Sequence, residues 1–292
     1  LMRLFVFGLG FSASAFVERI APDCDWIGAT TRSAEKAEQM RERGITPFLF
    51  DGTSPGDGIA EALANATHVL VSIAPDAEGD PVLTHHGADI AAHPPAWIGY
   101  LSTVGVYGNH DGGWVDEETI CRPVSKRSVQ RVAAETGWTR LGEKAAIPVQ
   151  IFRLSGIYGP GRNALATMEK GKARRLIKPG QVFNRIHVDD IAGATAHLAR
   201  RFETGIFNVT DDAPSPPQDV VAYAAALAGQ VAPPEVAFED AGLSPMGRSF
   251  YGECKRVSNA RLKSTGYRMR HPDYRAALET MWADESWRAE ES

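Results

Sequence analysis

The chain has 292 residues, of which 43% are hydrophobic and 23% charged, and its formal net charge is −5. That balance belongs to a folded globular protein, excludes a disordered or fibrous chain, and offers no broad basic face for nucleic acid. No apolar run approaches the roughly 18 residues that cross a bilayer, and Cys24, Cys121 and Cys254 are scattered rather than spaced as metal ligands, so the expectation is a cytoplasmic protein with reduced thiols and no membrane or metal partner.

The first half alternates short apolar or β-branched runs with segments of helical period, the signature of parallel βαβ units. Strands are expected at 3–7, 26–30, 46–50, 68–73, 96–102 and 149–154, with helices between them. Ser33 caps the helix that Gly44 stops, while Asn65 and Pro75 bracket the fourth strand.

The first strand runs into Gly8-Leu-Gly-Phe-Ser-Ala13 and then a helical segment. In that context G-x-G-x-x-A has a mechanical reading. Gly8 permits a tight turn, Gly10 lets a diphosphate approach the backbone, and Ala13 allows helix and strand to pack closely. The amides of Gly10, Phe11, Ser12 and Ala13 then face an anion at the helix N-terminus. The plain alternative is a glycine-rich turn that binds nothing.

The second strand ends Thr30-Thr31-Arg32-Ser33, where a site for NAD usually carries an acid for the ribose 2′-hydroxyl. A guanidinium at Arg32 suits a 2′-phosphate, with Thr31 and Ser33 as hydroxyl donors, so NADP is favoured over NAD; otherwise Arg32 is a surface arginine. Asp51-Gly52, after the third strand, is either an adenine contact or a simple turn.

Past 154 the pattern changes to the loop Tyr158-Gly-Pro-Gly-Arg162 and a basic stretch, 170–178, then a helix at 188–201 and a strand at 205–210. Ser215-Pro216 reads as a further helix start. The organisation expected is a cofactor domain at 1–155, rejoined by 180–210, and a smaller lobe made of 156–179 and 211–292. The acids and histidines of 76–86 have no metal-ligand spacing and read as a loop entering a helix.

With Leu101-Ser-Thr-Val-Gly-Val-Tyr-Gly108, Arg153-Leu-Ser-Gly-Ile-Tyr-Gly-Pro-Gly-Arg162, Arg185-Ile-His-Val-Asp-Asp190 and Phe207-Asn-Val-Thr-Asp211 added to the glycine turn, the sequence resembles the extended short-chain dehydrogenase/reductase superfamily, also called the NAD-dependent epimerase/dehydratase family. The resemblance covers most of the chain. It implies a doubly wound parallel sheet, the Rossmann fold, with a smaller C-terminal substrate lobe.

It further implies that Thr103 orients a substrate oxygen and that a Tyr-x-x-x-Lys on the next helix supplies the acid/base pair. Anchored on Glu135, those two places hold Arg127 and Arg131. Arginine cannot exchange a proton near neutrality, so either residue is left to bind an anion or to decorate the surface. Val129, Val132, Ala133 and Thr136 are expected as the buried stripe of that helix, with Arg127, Arg131, Glu135 and Trp138 on another face. Tyr251-Gly-Glu-Cys-Lys255 matches Tyr-x-x-x-Lys literally, but is expected in the C-terminal lobe.

The resemblance also brings Arg162 and His187 toward a substrate, with His187 open between contact and support. The function expected is an atypical NADP-dependent oxidoreductase or epimerase-type enzyme acting on a small carbonyl, sugar or nucleotide sugar. The alternative is a non-catalytic NADP-binding sensor or regulatory protein. By resemblance, the helices beside the fifth strand pair two copies into a homodimer.

Overall fold

A computed structural model describes residues 1–289. In chain order the elements are β1 (Met2–Phe7), α1 (Phe11–Ile20), β2 (Cys24–Thr31), α2 (Ala34–Glu42), β3 (Thr46–Leu49), α3 (Ile59–Ala64), β4 (His68–Val71), α4 (Pro81–Ala92), β5 (Trp97–Thr103), β6 (Trp114–Val115), α5 (Lys126–Ala145) and β7 (Val149–Leu154). There follow β8 (Gly156–Tyr158), α6 (Ala164–Glu169), β9 (Arg175–Ile177), β10 (Arg185–His187), α7 (Val188–Ala199), β11 (Gly205–Val209), α8 (Pro217–Leu227), β12 (Glu235–Ala237), α9 (Pro245–Tyr251), β13 (Arg256–Val257), α10 (Ala260–Ser264) and α11 (Tyr274–Ala283).

The chain divides into two compact units, one of 1–106, 125–153 and 191–207, the other of 107–124, 154–190 and 208–289. In the first, a seven-stranded sheet has the order β11-β7-β5-β4-β1-β2-β3. β1 lies parallel to both β2 and β4, so the strand order reverses direction at β1. In a doubly wound sheet the crevice at that reversal, beyond the carboxyl ends of the strands, is where ligands sit.

Phe5, Phe7, Val69, Val71, Ile98, Tyr100 and Trp138 form one core of this unit, all of them buried. Each such aliphatic or aromatic side chain contributes about 1.5–3 kcal/mol relative to exposure. All four residues of β4 are buried, as expected of a central strand covered on both faces.

The second unit has paired short strands, β8 with β10, β9 with β12 and β6 with β13, each pair parallel. Its core gathers Tyr158, Leu165, Ala224, Tyr274, Leu278 and Met281. Here Pro216, not Ser215, occupies the cap position of α8, because the Ser215 hydroxyl donates to the Ala213 carbonyl instead. α7 ends at Ala199, before Arg200 and Arg201.

Candidate functional site

Among the described residues, a cleft of about 340 Å³ opens in the first unit and is lined by Gly8–Gly10, Thr30–Ser33, Lys36, Met40, Phe50 and Ser72–Ala74. That volume falls within the roughly 300–1,000 Å³ of small-molecule sites. Gly8 has φ +85°, and a Cβ there would lie 2.9 Å from the Ile73 side chain, so only glycine makes this turn without strain. The Gly8 amide donates to Thr30 Oγ1 at 2.8 Å, which pins the turn to β2.

Gly10 caps α1 without any side-chain hydrogen bond, and a Cβ built on it meets nothing within 4 Å. The first amides of α1 therefore have no side-chain cap, and the ground over Gly10 is open. Ala13 is fully buried against the sheet. Uncapped amides, open room and a positive dipole end together fit a diphosphate. Phe11 and Ser12 lie within α1, Ser12 buried, and neither side chain lines the cleft.

The other end of the cleft is polar. Thr31 Oγ1 accepts from the Ser33 amide and Ser33 Oγ from the Lys36 amide, which leaves both hydroxyl hydrogens free to donate outward. Arg32 and Lys36 add two cations to the lining. Asp51 lies outside the lining; its Oδ1 accepts from the amide and hydroxyl of Thr53, and these bonds, with a smaller pull from Arg32, hold its carboxyl below the usual range. The Gly52 carbonyl is engaged by the His85 ring.

Thr103 closes β5, and its Oγ1 accepts from the Gly105 amide at 3.1 Å. A Cβ on Gly105 would stand 3.0 Å from Ser128 Oγ and 3.4 Å from Thr103 Oγ1, so two hydroxyls flank that glycine. Ser128 was not singled out by the sequence, because serine in the first turn of a helix ordinarily signals capping. Arg127, one residue earlier, is exposed. Arg131 turns its guanidinium to the Leu101 carbonyl at 3.0 Å and the Tyr100 hydroxyl at 3.2 Å. Burial pushes the Tyr100 phenol well above its ordinary range, against the pull of that cation.

α5 presents the opposite face from the one expected. Val129 is 51% exposed and Ala133 and Thr136 are also exposed, whereas Ser128, Glu135 and Trp138 are buried. The reason is electrostatic pairing: Glu135 takes a hydrogen bond from Ser102 Oγ at 2.5 Å and faces Arg153 Nη2 at 2.7 Å, while Trp138 Nε1 donates to Asp80 at 3.0 Å. A buried carboxylate with both partners in place outweighs the gain from covering two valines.

The remaining predicted residues belong to the second unit. Arg162 closes a turn with Gly159 through reciprocal backbone bonds. His187 is 2% exposed, sits opposite Tyr158 in the β8–β10 pairing, and lies against the His271 ring, the centroids 3.9 Å apart and the planes tilted by 30°. Desolvation, then the neighbouring His271, lowers its pKa to about 4.

His187, Asp189 and His271 offer three ligand atoms within 4.8 Å of one another. The Nδ1 lone pair of His187 is taken by the Asp189 amide at 3.0 Å, which ties the ring to the start of α7, while its buried Nε2 has no hydrogen-bond partner among the described residues. Asp190 adds to the tie, accepting from the Tyr267 hydroxyl and the amides of Arg270 and His271.

The literal Tyr-x-x-x-Lys also lies in this unit, where Lys255 Nζ donates to the Gly108 carbonyl and Tyr251 is buried edge-on to Phe183. In the basic stretch, Arg174, Arg175 and Lys178 each bond a backbone carbonyl, of Ala241, Pro233 and Tyr251 in turn.

Asp211 is 2% exposed, with Oδ1 bonded to the Ala213 amide and Oδ2 without a hydrogen-bond partner among the described residues. Burial raises its pKa from 3.8 to about 7. Between those values the folded state keeps a proton that the unfolded chain releases, so this group's contribution to stability falls as pH rises. His187 acts in the opposite sense, losing stability as pH falls from its ordinary 6.5 toward 4. Comparison with Asp211→Asn isolates the first effect: the variant gains on the wild type by up to about 1.4 kcal/mol per pH unit across that window, then holds level above it. Urea denaturation at several pH values measures it, and a gap independent of pH contradicts it.

The sequence of a functionally unknown conserved protein from Silicibacter pomeroyi is 46% identical over 97% of this chain and 99% of that one, with a TM-score of 0.89. The model of the NAD dependent epimerase/dehydratase family matches residues 89–210. That stretch is less than half of the chain, and over it the sequence is similar to that family. The epimerase/dehydratase fold extends to distant structures: UDP-N-acetylglucosamine 4-epimerase from Bacillus cereus is 15% identical, covering 97% of this chain and 99% of its own, with a TM-score of 0.78. UDP-glucuronic acid 4-epimerase from Bacillus cereus, solved in complex with NAD, is 15% identical over 98% of this chain and 100% of that one, with a TM-score of 0.76. No curated protein matches the sequence. Among the described residues, no helix is long and apolar enough to cross a membrane.

Proposed function

We propose that this protein is a member of the epimerase/dehydratase family that binds NADP and acts as an atypical oxidoreductase or epimerase-type enzyme on a small carbonyl, sugar or nucleotide sugar. The observation that carries the reading is the cleft itself, with the tight Gly8 turn and open Gly10 at one end and Arg32 at the other. The NAD complex of the Bacillus cereus UDP-glucuronic acid 4-epimerase supports a dinucleotide in a fold of this kind. Bound there, the cofactor would supply hydride chemistry. The protein's part is to hold the diphosphate on the α1 amides, to meet the 2′-phosphate with Arg32, and to orient a substrate oxygen with Thr103.

Calorimetric titration with both reduced cofactors tests this. NADPH should bind more tightly than NADH, and Arg32→Ala should remove most of the difference, about tenfold or more for the loss of one charge-assisted contact. Equal affinities in the wild type would sink the NADP assignment.

A second reading is favoured by the state of Arg131, whose guanidinium is engaged by the Leu101 carbonyl and Tyr100 hydroxyl, and by arginine at 127. A guanidinium does not serve as a general acid or base near neutrality, which suits a sensor that binds NADP and reports it to a partner. NADPH oxidation across a panel of aldehydes, ketones and nucleotide sugars separates the two: turnover abolished by Thr103→Ala supports the enzyme, and tight binding without turnover supports the sensor. Pairing of two copies through α4 and α5 is a companion proposal, checked by sedimentation.

A further inference from the structure

We infer that Lys36, on the first turn of α2, is the second cation of a two-pronged phosphomonoester site and sets the preference for a 2′-phosphorylated adenosine together with Arg32. The inference rests on the cofactor reading above and adds a residue that neither the glycine turn nor the end of β2 announces.

Both Arg32 and Lys36 line the cleft that begins at Gly8 and Gly10. Arg32 immediately precedes the Ser33 cap of α2, and Lys36 stands in its first turn, four positions before Met40, a spacing that stacks side chains on one face of a helix. Met40 lines the same cleft and is 4% exposed, which identifies that face of α2 as the cleft side.

Ion pairing sorts the cations of this segment in the same way. Arg41 pairs with Glu38 at 2.7 Å and Arg43 with Glu18 at 3.7 Å, both outside the cleft lining. For Arg32 and Lys36 no carboxylate stands within 4.0 Å among the described residues. Glu35 and Glu38 flank Lys36 in α2, Glu38 being paired with Arg41, while Asp51, whose Oδ1 is engaged by Thr53, feels only a smaller pull from Arg32. Two cations without ion pairs in one cleft meet a dianionic monoester better than one, since each can neutralise about one of its charges. The hydroxyls of Thr31 and Ser33, with hydrogens free to donate, complete the set.

The test is calorimetry on the full-length protein with NADPH, NADH, adenosine 2′,5′-bisphosphate and 5′-AMP as titrants. Lys36→Ala should weaken NADPH and the bisphosphate about 5- to 50-fold and leave NADH and 5′-AMP within about twofold. Lys36→Arg should keep the discrimination, and Lys36→Glu should reverse it. Lys36 is exposed, so circular dichroism and melting curves of the variants should match the wild type. If the wild type prefers NADPH and Lys36→Ala leaves that preference intact, or weakens all four titrants alike, the role of Lys36 is overturned while the cofactor reading stands. If the wild type binds NADH as tightly as NADPH, the NADP reading fails and this site fails with it.

Discussion

Glu135→Ala is expected to lower the free energy of unfolding by about 3–5 kcal/mol, because it takes the facing carboxylate from the buried guanidinium of Arg153. The pair is 5% and 6% exposed at the side chains, and Glu135 receives Arg153 Nε and Nη2 together with the hydroxyl of Ser102. Removing the acid takes away every one of those bonds at once, in a place water does not readily reach. Replacing both members, Glu135→Met with Arg153→Met, should recover most of the loss, since the desolvation cost of both charges disappears along with their attraction. Urea denaturation of the single and double variants measures this. A single-variant loss below about 1 kcal/mol would mean that water enters freely and the network is not dry. Because Ser102 precedes Thr103 on β5, the same variant should also slacken the strand end that presents the Thr103 hydroxyl.

Gly108→Ala should be at least as damaging, on the order of 4–5 kcal/mol, or leave no soluble folded protein. Gly108 has φ +73°, a conformation that already costs an alanine about 1–2 kcal/mol. Steric collision costs more: a Cβ at this position would lie 1.9 Å from the Arg122 carbonyl oxygen and 2.9 Å from its carbon, and a backbone cannot swing aside as a side-chain tip does. The Gly108 carbonyl is also the acceptor for the buried Lys255 ammonium, so moving this segment disturbs a charged hydrogen bond as well. Thermal unfolding checks it, and a melting temperature within a few degrees of the wild type would show that the 107–124 segment yields easily.

Much of the frame was legible because its signals are local. The glycine turn, the cap at Ser33 and the stop at Gly44 depend on residues within a few positions of one another, and all three stand where the sequence puts them. The face of α5 was not legible. Apolar periodicity chose Val129 and Val132, but the helix is oriented by a carboxylate whose partner, Arg153, lies 18 residues away on β7, and nothing in the spacing of α5 reports that partner. Lys36 was hidden differently: a lysine amid Glu35, Glu38 and Gln39 looks like any solvated helix surface until Met40 reveals which side faces the cleft. The cap of α8 slipped by one residue because Ser215 has a nearer carbonyl to bond.

The strand order of the first unit has a consequence for synthesis. β7, with six buried residues, has β5 on one side and receives its other neighbour only from Gly205–Val209. A chain emerging at about 5–20 residues per second therefore carries an open, apolar hydrogen-bonding edge for roughly 3–10 s before β11 can seal it. A translation product cut short near residue 200 would keep that edge permanently and would be the form most prone to join another nascent chain.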